Sequence, residues 1–182
     1  MRELSLHILD VVENGLRAGA SHLGVAIVED HAADRLAITI SDDGCGMDAE
    51  TARRALDPFY TTRTSRRVGL GLPMLADAAG RTGGRMSLRS RPQAGTIVEA
   101  SFGLSHIDRQ PLGDVASTLI ALIVGNPASD FIYRHETDGR VYLLDTRDLK
   151  KALEDVPLSH PEVTGFLREH IAEGLRDIGA AA

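Results

Sequence analysis

Two glycine clusters constrain this chain more than any other feature. Asp42-Asp43-Gly44-Cys45-Gly46 follows directly on the alternating run Arg35-Leu-Ala-Ile-Thr-Ile-Ser41, and Gly69-Leu70-Gly71-Leu72-Pro73 leads into a helical pattern. Glycines that close together do not sit well inside a strand or a helix, so the first cluster is a turn at a strand end. The second is a loop entering a helix that runs to about residue 81, with Pro73 tolerated in its first turn. A carboxylate at a strand end, followed by backbone bare of side chains, can accept a hydrogen bond from the amino group of a flat base. Free backbone N–H groups at a helix start form a phosphate site.

The elements around these clusters read in a definite order. Residues 3–18 pattern as a helix ended by Gly19, and residues 22–29 and 35–41 as two strands of a hairpin. Residues 48–56 read as a short helix with Asp48 as N-cap, broken by Asp57-Pro58-Phe59. Residues 61–68 are polar, basic and aperiodic, which predicts a loop. After Gly83-Gly84 a second strand pair covers 85–91 and 95–104. This order predicts an α+β, two-layer α/β sandwich over residues 1–104, with one mostly antiparallel sheet and helices on one face. Residues 105–182 form a C-terminal α/β extension. Its predicted elements are a helix over 112–124, a hairpin over 130–145 turning at Asp138-Gly139, and helices over 147–154 and 161–178.

On the first helix Asp10, Asn14 and Arg17 are spaced i, i+4 and i+7, so they share one face. An acid, an amide and a cation in one row suit a metal-bound polyphosphate as well as they suit a solvated stripe. Thr96, just after Gly95, offers a hydroxyl near the end of the sheet. Residues 53–91 hold nine arginines against Asp57 and Asp77, within a chain of net charge −6. That local excess fits an anion or, equally, a solvated basic face. Nucleic acid is disfavoured by the acidic total and an aromatic content of 4%. No apolar run approaches a membrane span and no secretory signal opens the sequence, so a cytoplasmic protein with no membrane partner is expected. The single cysteine, Cys45, excludes an internal disulfide and a cysteine-based zinc site. His7, one turn before Asp10, reads as a packing or surface residue, with a phosphate-relay role as the alternative.

Other glycine-loop classes fit badly. A dinucleotide fingerprint starting at Gly69 needs glycine at position 74, where Met74 stands, and the first lysine in the chain is Lys150, so there is no P-loop lysine. Taken in order, the motifs resemble the GHKL ATP-binding superfamily. Asp10-Val-Val-Glu-Asn14 looks like its N box, Asp42-x-Gly44-x-Gly46 its first glycine box and Asp57-Pro-Phe59 its F box. Gly69-Leu-Gly71-Leu is similar to the second glycine box and Gly95-Thr96 to the final threonine element. The resemblance covers about residues 3–104. The whole chain is also similar to small stand-alone proteins of this superfamily found beside iron-hydrogenase subunits.

The resemblance implies ATP and Mg²⁺ as cofactors and a Bergerat-type fold. It implies that Asn14 binds Mg²⁺, that Asp42 accepts from the adenine amino group, and that Gly44 and Gly46 belong to the base pocket. Thr96 would support Asp42 or an ordered water. Gly69, Leu70, Gly71 and Leu72 would donate amides to the phosphates, and Arg17 would contact them. Residues 60–68, with Thr62, Arg63, Arg66 and Arg67, would be the ATP lid. Asp10 would be the catalytic residue, although ATPases of the superfamily place glutamate there. Its side chain is one methylene shorter, so slow hydrolysis is expected. The segment that carries the phosphoacceptor histidine in kinase members has no counterpart in these residues. A conventional self-phosphorylating sensor kinase is therefore not expected. The expected activity is a regulatory kinase or slow ATPase acting on a partner protein, met through the lid or the acidic extension. The alternative is a non-enzymatic ATP/ADP switch.

Overall fold

The computed structural model describes residues 2–57, 71–154 and 156–180. The first helix, α1 (Leu4–Arg17), buries Leu4, Ile8, Val11 and Val12 along one stripe. Its N-terminal residue Glu3 makes no side-chain cap. The exposed helix N–H groups are satisfied instead by a distant part of the chain: Leu4 N donates to Pro111 O (2.9 Å) and Ser5 N to Leu112 O (2.8 Å).

Strands β1 (His22–Asp30) and β2 (Arg35–Asp42) pair antiparallel, with Leu23 opposite Asp42. The short α2 (Ala49–Arg54) is capped by Asp48, whose side chain accepts from Thr51 N at 2.7 Å. Helix α3 (Gly71–Arg81) leads to β3 (Arg85–Ser90) and β4 (Thr96–Gly103). The extension adds α4 (Val115–Gly125), the hairpin β5 (Asp130–Thr137) and β6 (Arg140–Asp145), then α5 (Thr146–Leu153) and α6 (Pro161–Ile178). The hairpin turns on Asp138 (φ 49°) and Gly139 (φ 83°), the two left-handed residues a tight two-residue turn needs.

The six strands of the described residues form one sheet in the order β3-β4-β2-β1-β5-β6. Every neighbouring pair is antiparallel except β1 and β5, which run parallel from His22 opposite Asp130 to Glu29 opposite Thr137. The extension is thus built onto the edge of the same sheet. Alternate residues of the central strands, such as Leu23, Val25, Ile27 and Leu36, Ile38, Ile40, point into one continuous core, where they meet α1, α3, α4 and α6. Helix α4 begins three residues later than its apolar pattern suggests. Pro111 and Leu112 are spent capping α1, Gly113 turns at φ 75°, and Asp114 then caps α4 through Ser117 N (2.8 Å).

One polar chain is fully buried where β1 meets β5. The Tyr133 hydroxyl lies 2.6 Å from His135 Nδ1, and His135 Nε2 lies 2.7 Å from Glu29 Oε1. Hydrogen bonding along the chain offsets the cost of burying these groups, and the same contacts tie the extension to the first hairpin. Among the described residues no helix is long and apolar enough to cross a membrane.

Candidate functional site

The site is built where β2 ends over α1. Asp42 is the last residue of β2 and stands opposite Thr96 of β4. Gly15 of α1 lies directly beneath it: a Cβ there would come within 2.8 Å of Asp42 Cβ. The Asp42 carboxylate accepts from Gly44 N at 2.9 Å, and the Thr96 backbone N–H lies close by on the paired strand. Burial pushes its pKa above the ordinary aspartate value, and those two N–H groups pull it part of the way back. A half-buried carboxylate with open space on one side can take a further donor.

The turn after Asp42 is packed against its neighbours. Cys45 N donates to Ala18 O (2.9 Å), and Gln93 N donates to Cys45 O (2.7 Å). Gly46 has φ 65°, and a Cβ on it would overlap the Arg91 carbonyl oxygen. Met47 N donates to Ser90 Oγ (2.8 Å), and Ser90 Oγ lies 2.9 Å from Thr96 Oγ1. The turn and the β3–β4 end therefore hold each other.

From Asp42 a cavity of about 350 Å³ runs along α1 past Asn14 and Asp10 to the start of α3. That volume lies within the usual range for small-molecule sites. Val11, Met47, Leu88 and Val98 give it apolar walls near Asp42, as a flat base requires. At the other end the backbone of Gly71 is so close to Asp10 that a Cβ on Gly71 would overlap Asp10 Oδ2. Arg17 forms an ion pair with Glu13 and donates from Nη1 to Asn14 Oδ1 at 3.2 Å. The cavity thus has a base-sized apolar end with an acceptor and a polar end with an amide, a cation and a helix N-terminus.

Of the residues singled out in the sequence, Asp10, Asn14, Arg17, Asp42, Gly46, Gly71, Leu72 and Thr96 line this cavity. Gly44 stands just behind it, binding Asp42 and packing on Ala18. Gly69, Leu70, Phe59 and the lid positions Thr62, Arg63, Arg66 and Arg67 lie outside the described residues. The arginine excess around residues 53–91 does not converge on the cavity among the described residues. Arg81 pairs with Asp77 (2.8 Å) and Arg89 with Glu99 (3.0 Å), and neither lines it. His7 is buried, with Nε2 at 3.0 Å from Gln110 Oε1, and burial lowers its pKa. Gly15 and Ser90 were not legible as site residues. Gly15 follows Asn14 directly and reads only as a weak point in a helix, while Ser90 is one polar residue at a strand end.

Among the described residues no group of three or more His, Cys, Asp or Glu side chains is placed to hold a metal ion. A hard cation beside Asn14 would therefore draw most of its oxygen ligands from a bound phosphate and water, as Mg²⁺ usually does. The donor set fits that requirement: an amide oxygen next to backbone stripped of side chains.

Comparison with known proteins bears on the family and the fold. Residues 2–106 match the family described as histidine kinase-, DNA gyrase B-, and HSP90-like ATPase. The chain is 39% identical over 108 residues to the sensor protein kinase FleS of Pseudomonas aeruginosa, covering 59% of this chain and 26% of that one. It is 30% identical over 174 residues to the DNA mismatch repair protein MutL of Desulforudis audaxviator, covering 86% of this chain and 28% of that one. It thus spans about a quarter of the length of either relative. Among solved structures, the Aquifex aeolicus MutL ATPase domain complexed with ADP superposes with a TM-score of 0.55 at 15% identity, covering 93% of this chain and 88% of that one. The N-terminal domain of a DNA repair protein gives 0.58 at 16% identity, covering 97% and 59%. With a family match over more than half of its residues, the chain belongs to the histidine kinase-, DNA gyrase B- and HSP90-like ATPase family.

Proposed function

We propose that this chain binds Mg-ATP in the α1–β2–α3 cavity and acts as a regulatory kinase or slow ATPase on a partner protein. One observation carries the reading. A single cavity joins the half-buried Asp42, set for the adenine amino group, to Asn14, Arg17 and the glycine-led start of α3, set for the phosphates. Asn14 Oδ1 would hold Mg²⁺, which would supply charge neutralisation at the phosphates. Arg17, held by Glu13 and Asn14 at the cavity wall, would add positive charge beside a bound polyphosphate. Gly71 opens α3 at the cavity wall, where the helix N-terminus favours an anion. In the hydrolytic form Asp10 orients the attacking water. In the kinase form a partner supplies the acceptor at the mouth of the cavity.

A second reading has its own support. The Asp10 carboxylate is packed against Gly71, and aspartate reaches less far than glutamate. In that reading the chain is a switch in which ATP and ADP give different conformations and turnover is incidental.

The test is binding, phosphate release and phosphoryl transfer with labelled Mg-ATP. No binding at millimolar ATP refutes the central claim. Turnover that is lost in Asp10→Asn supports the enzyme. Tight binding without turnover, unchanged in Asp10→Asn, supports the switch. Asn14→Ala is expected to remove the Mg²⁺ dependence of binding.

A further inference from the structure

The residue beside Asp42 has no role in the reading given above, yet its carboxylate makes four hydrogen bonds to one dipeptide. Asp43 Oδ1 accepts from Ser21 N (2.7 Å) and His22 N (2.8 Å). Its Oδ2 accepts from Ser21 Oγ (3.0 Å) and lies 2.8 Å from His22 Nδ1. Asp43 N in turn donates to His22 O (3.3 Å). These bonds hold its pKa well below the usual carboxylate range, the His22 backbone N–H contributing most. They fix the backbone of residue 43, and so the direction from which the neighbouring Asp42 side chain enters the cavity.

The other side of Ser21-His22 is gripped by the extension. Asp130 N, at the start of β5, donates to Ser21 O (2.8 Å), and Asp130 Oδ2 lies 3.8 Å from His22 Nε2. Lys150 of α5 completes the chain, donating from Nζ to Asp130 Oδ1 (2.6 Å) and to Ser129 O (2.8 Å). Lys150, Asp130, Ser21-His22 and Asp43 therefore form a continuous set of contacts from α5 to the turn that carries Asp42.

We infer that Asp43, Asp130 and Lys150 are positioning residues, through which the C-terminal extension sets how firmly the site reads adenine. The inference rests on the adenine-nucleotide reading of the cavity. Its physical content is that a small displacement of a hydrogen-bonding carboxylate costs base discrimination before it costs anything at the phosphate end. A shift of α5, for example on binding a partner, would reach Asp42 by this route.

The experiment is calorimetric binding of ATP, ADP, AMP and GTP to wild type, Asp43→Asn, Asp130→Asn and Lys150→Met, with thermal melting of each. Asp43→Asn is expected to weaken ATP, ADP and AMP alike by roughly tenfold, to lower the ATP-over-GTP preference by a similar factor, and to leave the Mg²⁺ dependence unchanged. Asp130→Asn and Lys150→Met are expected to move the same quantities in the same direction by roughly threefold, because they act on Asp42 only through Ser21-His22 and Asp43. Base preference is the discriminating readout, because a general loosening of the fold weakens ATP and GTP together. If Asp43→Asn does not fold, the Asp130 and Lys150 variants decide. Unchanged base preference in both of these overturns the inference while wild-type ATP binding leaves the nucleotide reading intact. Failure of wild type to bind any adenine nucleotide overturns that reading instead.

Discussion

Replacing Gly46 by alanine tests the architecture of the site at one point. Gly46 has φ 65°, which costs an L-residue with a Cβ about 1–2 kcal/mol. The added Cβ would overlap the Arg91 carbonyl oxygen and come within 2.8 Å of the Arg91 carbonyl carbon and 3.1 Å of the Gly95 carbonyl oxygen. All three are backbone atoms, so no side-chain rotation relieves them. Restoring an ordinary 3.4 Å contact at the carbonyl carbon alone moves one backbone segment by about 0.6 Å. Overpacking of this kind adds about 1–3 kcal/mol. The expected total is roughly 2–5 kcal/mol of stability, or a melting point lower by roughly 4–20 °C in a chain of this length.

The displaced segments are the Asp43–Met47 turn and the β3–β4 turn, which frame the base end of the cavity. ATP affinity is therefore expected to fall at least about tenfold, a change equal to 1.4 kcal/mol. Melting and calorimetry with AMP check both numbers, since AMP lacks the β- and γ-phosphates and so reports mainly on the base end. Gly46→Asn separates the two causes. Asparagine tolerates the left-handed region, so only the steric part of the loss remains. Gly165→Ala is the control: no neighbouring atom lies within 4 Å of its added Cβ, and it sits inside α6. Wild-type melting and AMP affinity in Gly46→Ala would refute the claim that this close backbone approach defines the site.

Three further outcomes follow from the same coordinates. Gly165→Ala is expected to stabilise by about 1 kcal/mol through helix propensity alone, seen as a melting point raised by a few degrees. Glu29→Ala leaves His135 Nε2 buried without its acceptor and is expected to cost roughly 3–5 kcal/mol in urea unfolding, whereas replacing Glu29 and His135 together by leucine costs less than the sum of the single changes. ATP affinity is expected to fall on acidification before the fold does. Asp42 is buried and titrates above the ordinary 3.8, so it loses its capacity to accept from adenine first; protonating it removes a buried charge and does not weaken the fold. Asp43 is held below 3.8, so its contribution to stability is present above that value and is lost only as the pH falls through the lower one. Binding and circular dichroism across the same acid titration check the order; simultaneous loss would refute it.

The parts of the molecule that local patterning reaches were legible in the sequence. Alternation in 22–29 and 35–41 gives β1 and β2, and the i, i+4, i+7 spacing places Asp10, Asn14 and Arg17 on the one face of α1 that lines the cavity. The Asp138-Gly139 turn follows from two residues that accept positive φ. The parallel pairing of β5 with β1 was not legible, because it depends on a crossover through α4 and no local signal specifies which edge a returning strand will join. Gly15 was missed for a related reason: its value lies in a contact with Asp42, which is distant in sequence. The two readings of the arginine excess could not be separated by composition, which does not show that Arg81 pairs with Asp77 and Arg89 with Glu99.

That parallel pairing also bears on how a partner could act. A tail joined to a nucleotide-binding domain by a linker alone can move without changing the site. Here the extension caps α1 through Pro111 and Leu112, pairs with β1 along its whole length, and buries Glu29, His135 and Tyr133 in the junction. Loosening the extension as a whole would therefore expose N–H groups at the start of the helix that carries Asp10 and Asn14, and would break the buried hydrogen-bonded chain of Glu29, His135 and Tyr133. Those costs make large-scale undocking an unfavourable signal. A partner binding the extension works at lower cost through small movements of α5, whose Lys150 reaches the site by way of Asp130, His22 and Asp43 without breaking the shared core.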